Sequence, residues 1–131
     1  MNPVPGLLLF AHGARDPGWA APFDAVLRHC RAHSPHRPVA LAFLEFMAPD
    51  LVTAAAELAA AGCQDVDVVP LFLGAGGHVR KDIPRLMDRL MAEHPGVRWT
   101  LRRSVGEADA VIAAMAEVAL AAGDGAVGLG T

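Results

Sequence analysis

Apolar positions along the chain fall into two alternating kinds of segment. Short unbroken runs at 7–11, 39–44, 66–73 and 97–101 have the length and composition of strands, and the first three are apolar enough to be covered on both faces. Between them lie stretches in which apolar residues recur at three- and four-residue steps. Trp19, Phe23, Val26, Leu27 and Cys30 make the stripe of a first helix, which Pro35 and Pro38 end. A second helix is expected from residue 49 or 50 to 61, with Leu51, Val52, Ala55, Leu58 and Ala59 facing inward and Gly62 as its stop. Ile83, Leu86, Met87, Leu90 and Met91 form the apolar face of a third, with Arg85, Asp88 and Arg89 outward. Pro84 is expected in its first turn, because a proline further in removes a backbone hydrogen bond. His94-Pro95-Gly96 closes that segment. A fourth, alanine-rich helix over about 107–121 is expected to bury Val111, Ile112, Met115 and Val118.

The alternation is βαβαβαβα, and right-handed crossovers turn it into an α/β domain with a parallel sheet and helices on both faces. The expected strand order is 2-1-3-4. The reversal then falls between strands one and three, and open sheets of this kind bind ligands at their carboxyl edge beside such a switch point. A length of 131 residues suits one domain, expected to occupy residues 1–122, with the glycine-rich stretch 123–131 as a mobile tail. No internal repeat is evident.

Hydrophobic residues make up 53% of the chain and charged residues 19%, which excludes a disordered protein. A net charge of −3 argues against a polyanion-binding surface, so nucleic acid is not an expected partner. Cys30 and Cys63 form no CxxC pair, which speaks against a disulfide framework or a cysteine zinc site; both are expected to be small buried hydrophobes. No basic stretch precedes the first apolar run, and no run reaches the roughly 20 residues that span a bilayer. A soluble cytoplasmic protein without a membrane partner is expected.

Two histidines, His12 and His78, each follow an apolar run at a glycine-containing turn. If both runs are strands of one parallel sheet, both imidazoles belong to its carboxyl edge. Strand two delivers Glu45 to the same rim, so topology gathers three potential metal ligands. Imidazole ligates metals and exchanges protons near neutral pH. Two imidazoles and a carboxylate suit Fe, Co, Ni or Zn, with coordination positions left open. Gly74, Gly76 and Gly77 before His78 permit backbone conformations and close approaches that side chains block, and a large flat ligand fits over such a loop. A phosphate cradle is the competing reading, but neither GK[ST] nor a GxGxxG opening a helix is present. His29 and His33, four apart and followed by His36, lack the HExxH glutamate and are expected at a solvated helix end.

The segments His12-Gly13-Ala14-Arg15, Ala42-Phe43-Leu44-Glu45 with Pro49, and the string from Val69 to Pro84 resemble the CbiX/SirB family of sirohydrochlorin chelatases. The resemblance runs from about residue 7 to 120. It implies a chelatase-like single domain that inserts cobalt, iron or nickel, as divalent ions, into sirohydrochlorin during cobalamin, sirohaem or related cofactor synthesis, without a nucleotide. The two active-site histidines of the family fall on His12 and His78, and its acidic residue on Glu45. Short members pair as homodimers, whereas longer relatives carry two such domains. Family members usually have Ser after His-Gly, and Ala14 stands there in this chain, which removes a hydroxyl from beside His12.

Metal insertion requires two pyrrole N–H protons to leave as the metal sheds its own ligands. His12, His78 and Glu45 are expected to hold the metal or accept those protons. Sirohydrochlorin carries many carboxylates, so Arg15, Arg80 and Lys81 are expected to orient it over Gly76 and Gly77, with Arg102 and Arg103 as second choices. A non-catalytic metal- or tetrapyrrole-binding protein and a phosphate-binding regulatory domain remain the alternatives.

Overall fold

The most apolar run of the chain becomes the centre of the sheet. In the computed structural model, which describes residues 4–74, 76–122 and 127–128 and leaves out the side chain of residue 78, β1 (Pro5–Ala11) pairs in parallel with β2 (Val39–Phe43) and with β3 (Asp65–Pro70). β3 pairs in turn with β4 (Arg98–Leu101), giving the expected order β2-β1-β3-β4. Strand alternation sends Leu8, Phe10, Ala40, Ala42, Val66 and Val68 into one core layer and Leu9, Ala11, Val39, Leu41 and Phe43 into the other. β3 stops at Pro70, short of the run's end at 73. Beyond it the Leu71 N–H still reaches Phe10 O at 2.7 Å before the chain leaves the sheet.

α1 (Ala21–His33) covers the layer of Leu9 and Leu41. It starts later than its apolar stripe, because Pro17–Ala20 forms a 3-10 turn that sets Trp19 against Phe23, ring centroids 4.6 Å apart. Phe23, Leu27 and Cys30 are partly buried on that layer, whereas Val26 is exposed. Cys30 thus departs from the expectation of a fully buried thiol, which Cys63 meets.

α2 (Leu51–Ala60) lies on the opposite face, burying Leu51, Ala54, Ala55 and Leu58. Both its ends are specified locally. Asp50 accepts the Thr53 N–H at 2.8 Å as N-cap. At the other end Gly62 takes φ 91 while Cys63 N–H bonds Leu58 O and Gly62 N–H bonds Ala59 O, the Schellman pattern. The Thr53 bonds hold the Asp50 carboxyl below the usual carboxylate range. A depressed folded pKa means that the cap's stabilisation is complete above about pH 4 and fades as pH falls through the folded value. Asp50→Ala is expected to cost about 1 kcal/mol at pH 7 and less at pH 2. Thermal melts at the two pH values check this.

α3 (Gly77–Glu93) packs beside α2 and buries Val79, Ile83, Met87 and Leu90, while Met91 is exposed. Pro84 is inside this helix, not in its first turn. The helix begins at the glycines, earlier than its apolar face suggests, so Pro84 withholds the N–H that Arg80 O would otherwise receive. The ring is exposed, where water can satisfy that carbonyl.

α4 (Asp109–Leu120) also departs from expectation: no residue of it is buried. Ile112 is 51% exposed, Met115 50% and Val118 72%. Val105–Glu107 forms a 3-10 turn that redirects the chain, and α4 packs mainly on that turn rather than on the sheet. Residues 123–126 and 129–131 of the expected tail lie outside the described residues.

Candidate active site at the carboxyl edge

Backbone hydrogen bonds continue between β1 and β2 past their last paired residues and bring two of the expected site residues side by side. Leu44 N–H donates to Ala11 O at 2.9 Å, and Glu45 N–H donates to His12 O at 3.1 Å. Gly13 makes this junction possible. It has φ 88, and a Cβ on it would overlap the Glu45 carbonyl, so the residue after His12 must lack a side chain on both counts.

The His12 ring, partly buried, lies tilted against Phe72 with centroids 4.9 Å apart, and Phe72 meets Phe10 at 5.8 Å. Phe72 is 3% exposed and belongs to the main core. The imidazole therefore rests on a rigid aromatic wall. Gly106 buttresses the same loop from outside: its N–H donates to Phe72 O at 2.9 Å, and a Cβ there would strike the Leu73 backbone. Phe72 and Gly106 escaped the sequence reading as supports, since neither carries reactive chemistry.

His78 is the second residue of α3, at the end of the loop that starts beside Phe72. Among the described residues, which leave out the His78 side chain, no three His, Cys, Asp or Glu side chains gather as a metal site. Glu45 is exposed. Gly76 is the N-cap of α3 with φ −71, and a Cβ added at Gly74, Gly76 or Gly77 would meet nothing within 4 Å. These glycines leave the approach to the loop open; Gly76 does not use a left-handed conformation.

Three hollows open around this rim. One of about 400 Å³ runs beside Ala14, Arg15, Phe46 and Met47. Phe46 takes φ 66 and presents its ring to the Arg15 guanidinium, 4.5 Å from the centroid, a cation–π contact that holds the arginine while leaving it exposed. A second hollow, about 350 Å³, lies between the start of α2 and α3 and is lined by Phe10, Phe43, Asp82, Arg85 and Arg89. Arg85 and Arg89 were expected only as outward charges. The third, about 430 Å³, is lined by Leu73, Arg80, Arg102 and Arg103. Arg80 and its neighbour Lys81 are exposed on the first turns of α3. Arg102 is committed to Asp67 at 2.8 Å, which also holds Arg37 at 2.9 Å, so it is less available to a ligand than Arg103 beside it.

His29 and His33 stack on the exposed side of α1 with centroids 4.1 Å apart, and His33 Nδ1 contacts His29 O at 2.9 Å, a local helix-end arrangement remote in sequence from the rim. Burial pushes the Cys63 thiol up, against a smaller opposing pull from Arg37, so it stays protonated and inert beneath the start of β3.

A family model, CbiX, matches residues 6–122. The chain belongs to the CbiX family. It is 39% identical over 83 residues to a sirohydrochlorin cobaltochelatase of Saccharolobus solfataricus, covering 63% of this chain and 62% of that one. The match thus spans less than two thirds of the relative's length. Among solved structures, a CbiX protein of Marinobacter aquaeolei superposes with a TM-score of 0.79 at 32% identity, over 89% of this chain and 95% of that one. The sirohydrochlorin chelatase SirB of Bacillus subtilis subspecies spizizenii, in complex with cobalt, gives a TM-score of 0.79 at 25% identity, over 90% of this chain and 50% of SirB. The four-stranded parallel architecture is that of these CbiX and SirB proteins.

Proposed function

We propose that this CbiX-family chain is a sirohydrochlorin metal chelatase, with Co2+, Fe2+ or Ni2+ as the metal substrate and no nucleotide. The observation that carries the reading is the His12–Glu45 junction, tied by backbone and walled by Phe72, at the carboxyl edge of this family's sheet. In the reaction the macrocycle gives up two N–H protons and receives one M2+. His12 and His78 hold the incoming metal or accept those protons, and Glu45 offsets metal charge or acts as the second base. Fixing His12 on Phe72 limits the imidazole's freedom, so little ordering is left for the step itself.

Carboxylates of the macrocycle are met by Arg15, Arg80 and Lys81, with Arg103 from the third hollow. The plane of the ring lies over Gly76 and Gly77, where an added Cβ would meet nothing within 4 Å. The family resemblance favours a homodimer acting in the cytoplasm, and no described helix is long and apolar enough to cross a membrane. Cobalt is the favoured metal, because cobalt is named in the relative from S. solfataricus and in the SirB complex.

The test is sirohydrochlorin insertion followed by absorbance, with Co2+, Fe2+ and Ni2+ supplied separately. Acceleration over the protein-free rate with at least one metal is expected, cobalt foremost. Ala14, which lines the first hollow where a hydroxyl is usual, favours one alternative, a carrier that binds metal or tetrapyrrole without turnover. Stoichiometric binding at the uncatalysed rate would establish that alternative instead.

A further inference from the structure

We infer that Phe46 is a substrate-binding residue: a strained turn holds its ring out from the rim, where it stacks on the conjugated macrocycle while Arg15 beside it meets a carboxylate. The inference deepens the chelatase reading and rests on it for the identity of the ligand.

Among the described residues Phe46 is the one non-glycine residue with a positive φ, 66. For a bulky side chain that is a genuine outlier. Met47 N–H donates to Glu45 O across it at 2.9 Å, an i to i+2 bond that with this φ makes the strained form of the γ-turn. The Glu45 carbonyl that closes the turn is the one lying against Gly13, and the Glu45 N–H is bonded to His12 O. The His12–Glu45 junction therefore fixes the turn. Strain of this kind persists where the surrounding structure over-determines it, and it clusters at ligand clamps. Glycine adopts such a φ without steric cost, so the backbone alone gives no reason for a phenylalanine at this position.

Nor does the core. Phe46 is 56% exposed and belongs to neither core layer, whereas Met47, next in sequence, packs on the layer beneath α1. The turn sends one apolar side chain inward and holds the other out. The Arg15 guanidinium lies over the Phe46 ring, which leaves the remaining face and edge for a ligand, and both side chains line the hollow beside Ala14.

A ligand that uses this pair has a flat apolar body and an anionic periphery. A tetrapyrrole with carboxylate arms has that chemistry, stacking on the aromatic ring and offering a carboxylate to the guanidinium. An inorganic anion would leave the ring unused, and a purely apolar ligand would leave Arg15 unpaired. Placement agrees. Consecutive Cα atoms are about 3.8 Å apart, so the ring projects from the backbone next to Glu45, on the β2 side of His12, while Gly76 and Gly77 open the α3 side.

Titration of metal-free sirohydrochlorin, followed by its fluorescence, gives a dissociation constant, and insertion kinetics with Co2+ give KM and kcat. Phe46→Gly is expected to weaken binding about 10-fold and to raise KM by a similar factor, with kcat changed far less. Its thermal midpoint is expected at or above the wild-type value, because glycine relieves the φ of 66. Phe46→Tyr is expected to bind as the wild type does, and Phe46→Gly is expected to cost further affinity when added to Arg15→Met. An unchanged dissociation constant in Phe46→Gly overturns the inference. So does a binding loss that comes with a clearly lowered midpoint, that Phe46→Tyr shares, or that vanishes in the Arg15→Met background, where the ring would act only through the arginine. Wild-type protein that binds sirohydrochlorin without turnover, and loses that binding in Phe46→Gly, leaves this inference standing and removes the chelatase reading. Turnover by Phe46→Gly at an unchanged KM does the reverse.

Discussion

His12→Ala is expected to lower the rate of cobalt insertion into sirohydrochlorin by about 10²–10⁴-fold, the usual contribution of one positioned acid–base group. Its effect on stability is expected to be small by comparison. The ring is only partly buried and lies at the end of β1, so its loss uncovers one face of Phe72 without opening the core beneath. The split between the two effects is the informative part. A thermal midpoint near the wild-type value with a collapsed rate places the residue in the chemistry. Equal losses in both would make it a packing residue, and an undiminished rate would remove it from the site. Initial rates at saturating tetrapyrrole, together with thermal melts, separate these outcomes.

The second large effect belongs to the glycine beside it. Gly13→Ala places a methyl group where the Glu45 carbonyl already is and forces a left-handed φ of 88 on a residue with a side chain. Backbone strain costs of order 1–3 kcal/mol and the overlap a similar amount, so a loss of about 3 kcal/mol is expected. The overlap is relieved only by parting the 12–13 backbone from residue 45. The hydrogen bond from Glu45 N–H to His12 O is then lost, and activity should fall further than in a variant equally destabilised elsewhere. Leu58→Ala, in the core under α2, is the appropriate comparison, read by urea titration and insertion rate.

Much of the fold was legible because it rests on local periodicity. Runs such as Leu7-Leu8-Leu9-Phe10 and the spaced apolar faces of α2 and α3 state which elements form, and the handedness of crossovers then restricts their order. Periodicity states that a face requires burial but not which surface buries it, and α4 shows the difference: Met115 and Val118 have the spacing of core residues yet are 50% and 72% exposed. Pro84 misled for a related reason. The helix start is set by the glycines ahead of it, and an exposed interior proline is tolerated where its missing bond faces water.

At the candidate site, the placing of His12 and Glu45 on one rim was legible from strand ends, and the structure adds a backbone hydrogen bond from Glu45 N–H to His12 O. The Phe72 wall and the Arg15–Phe46 contact were not legible. Both join residues far apart in sequence or depend on a left-handed backbone at a non-glycine residue, and neither carries a motif. Arg102 was a reasonable candidate by position until Asp67 appeared across the sheet as its partner.

We propose His12, Glu45 and His78 as the metal-handling rim. The most direct measurement is an anomalous-difference map at the cobalt edge from crystals soaked in Co2+. The expected result is a peak at the carboxyl edge about 2.1 Å from a ring nitrogen of His12, with His78 on its other side and Glu45 adjacent. Cobalt bound instead at His29 and His33, with no peak near His12 in crystals whose rim is open to solvent, would contradict the assignment.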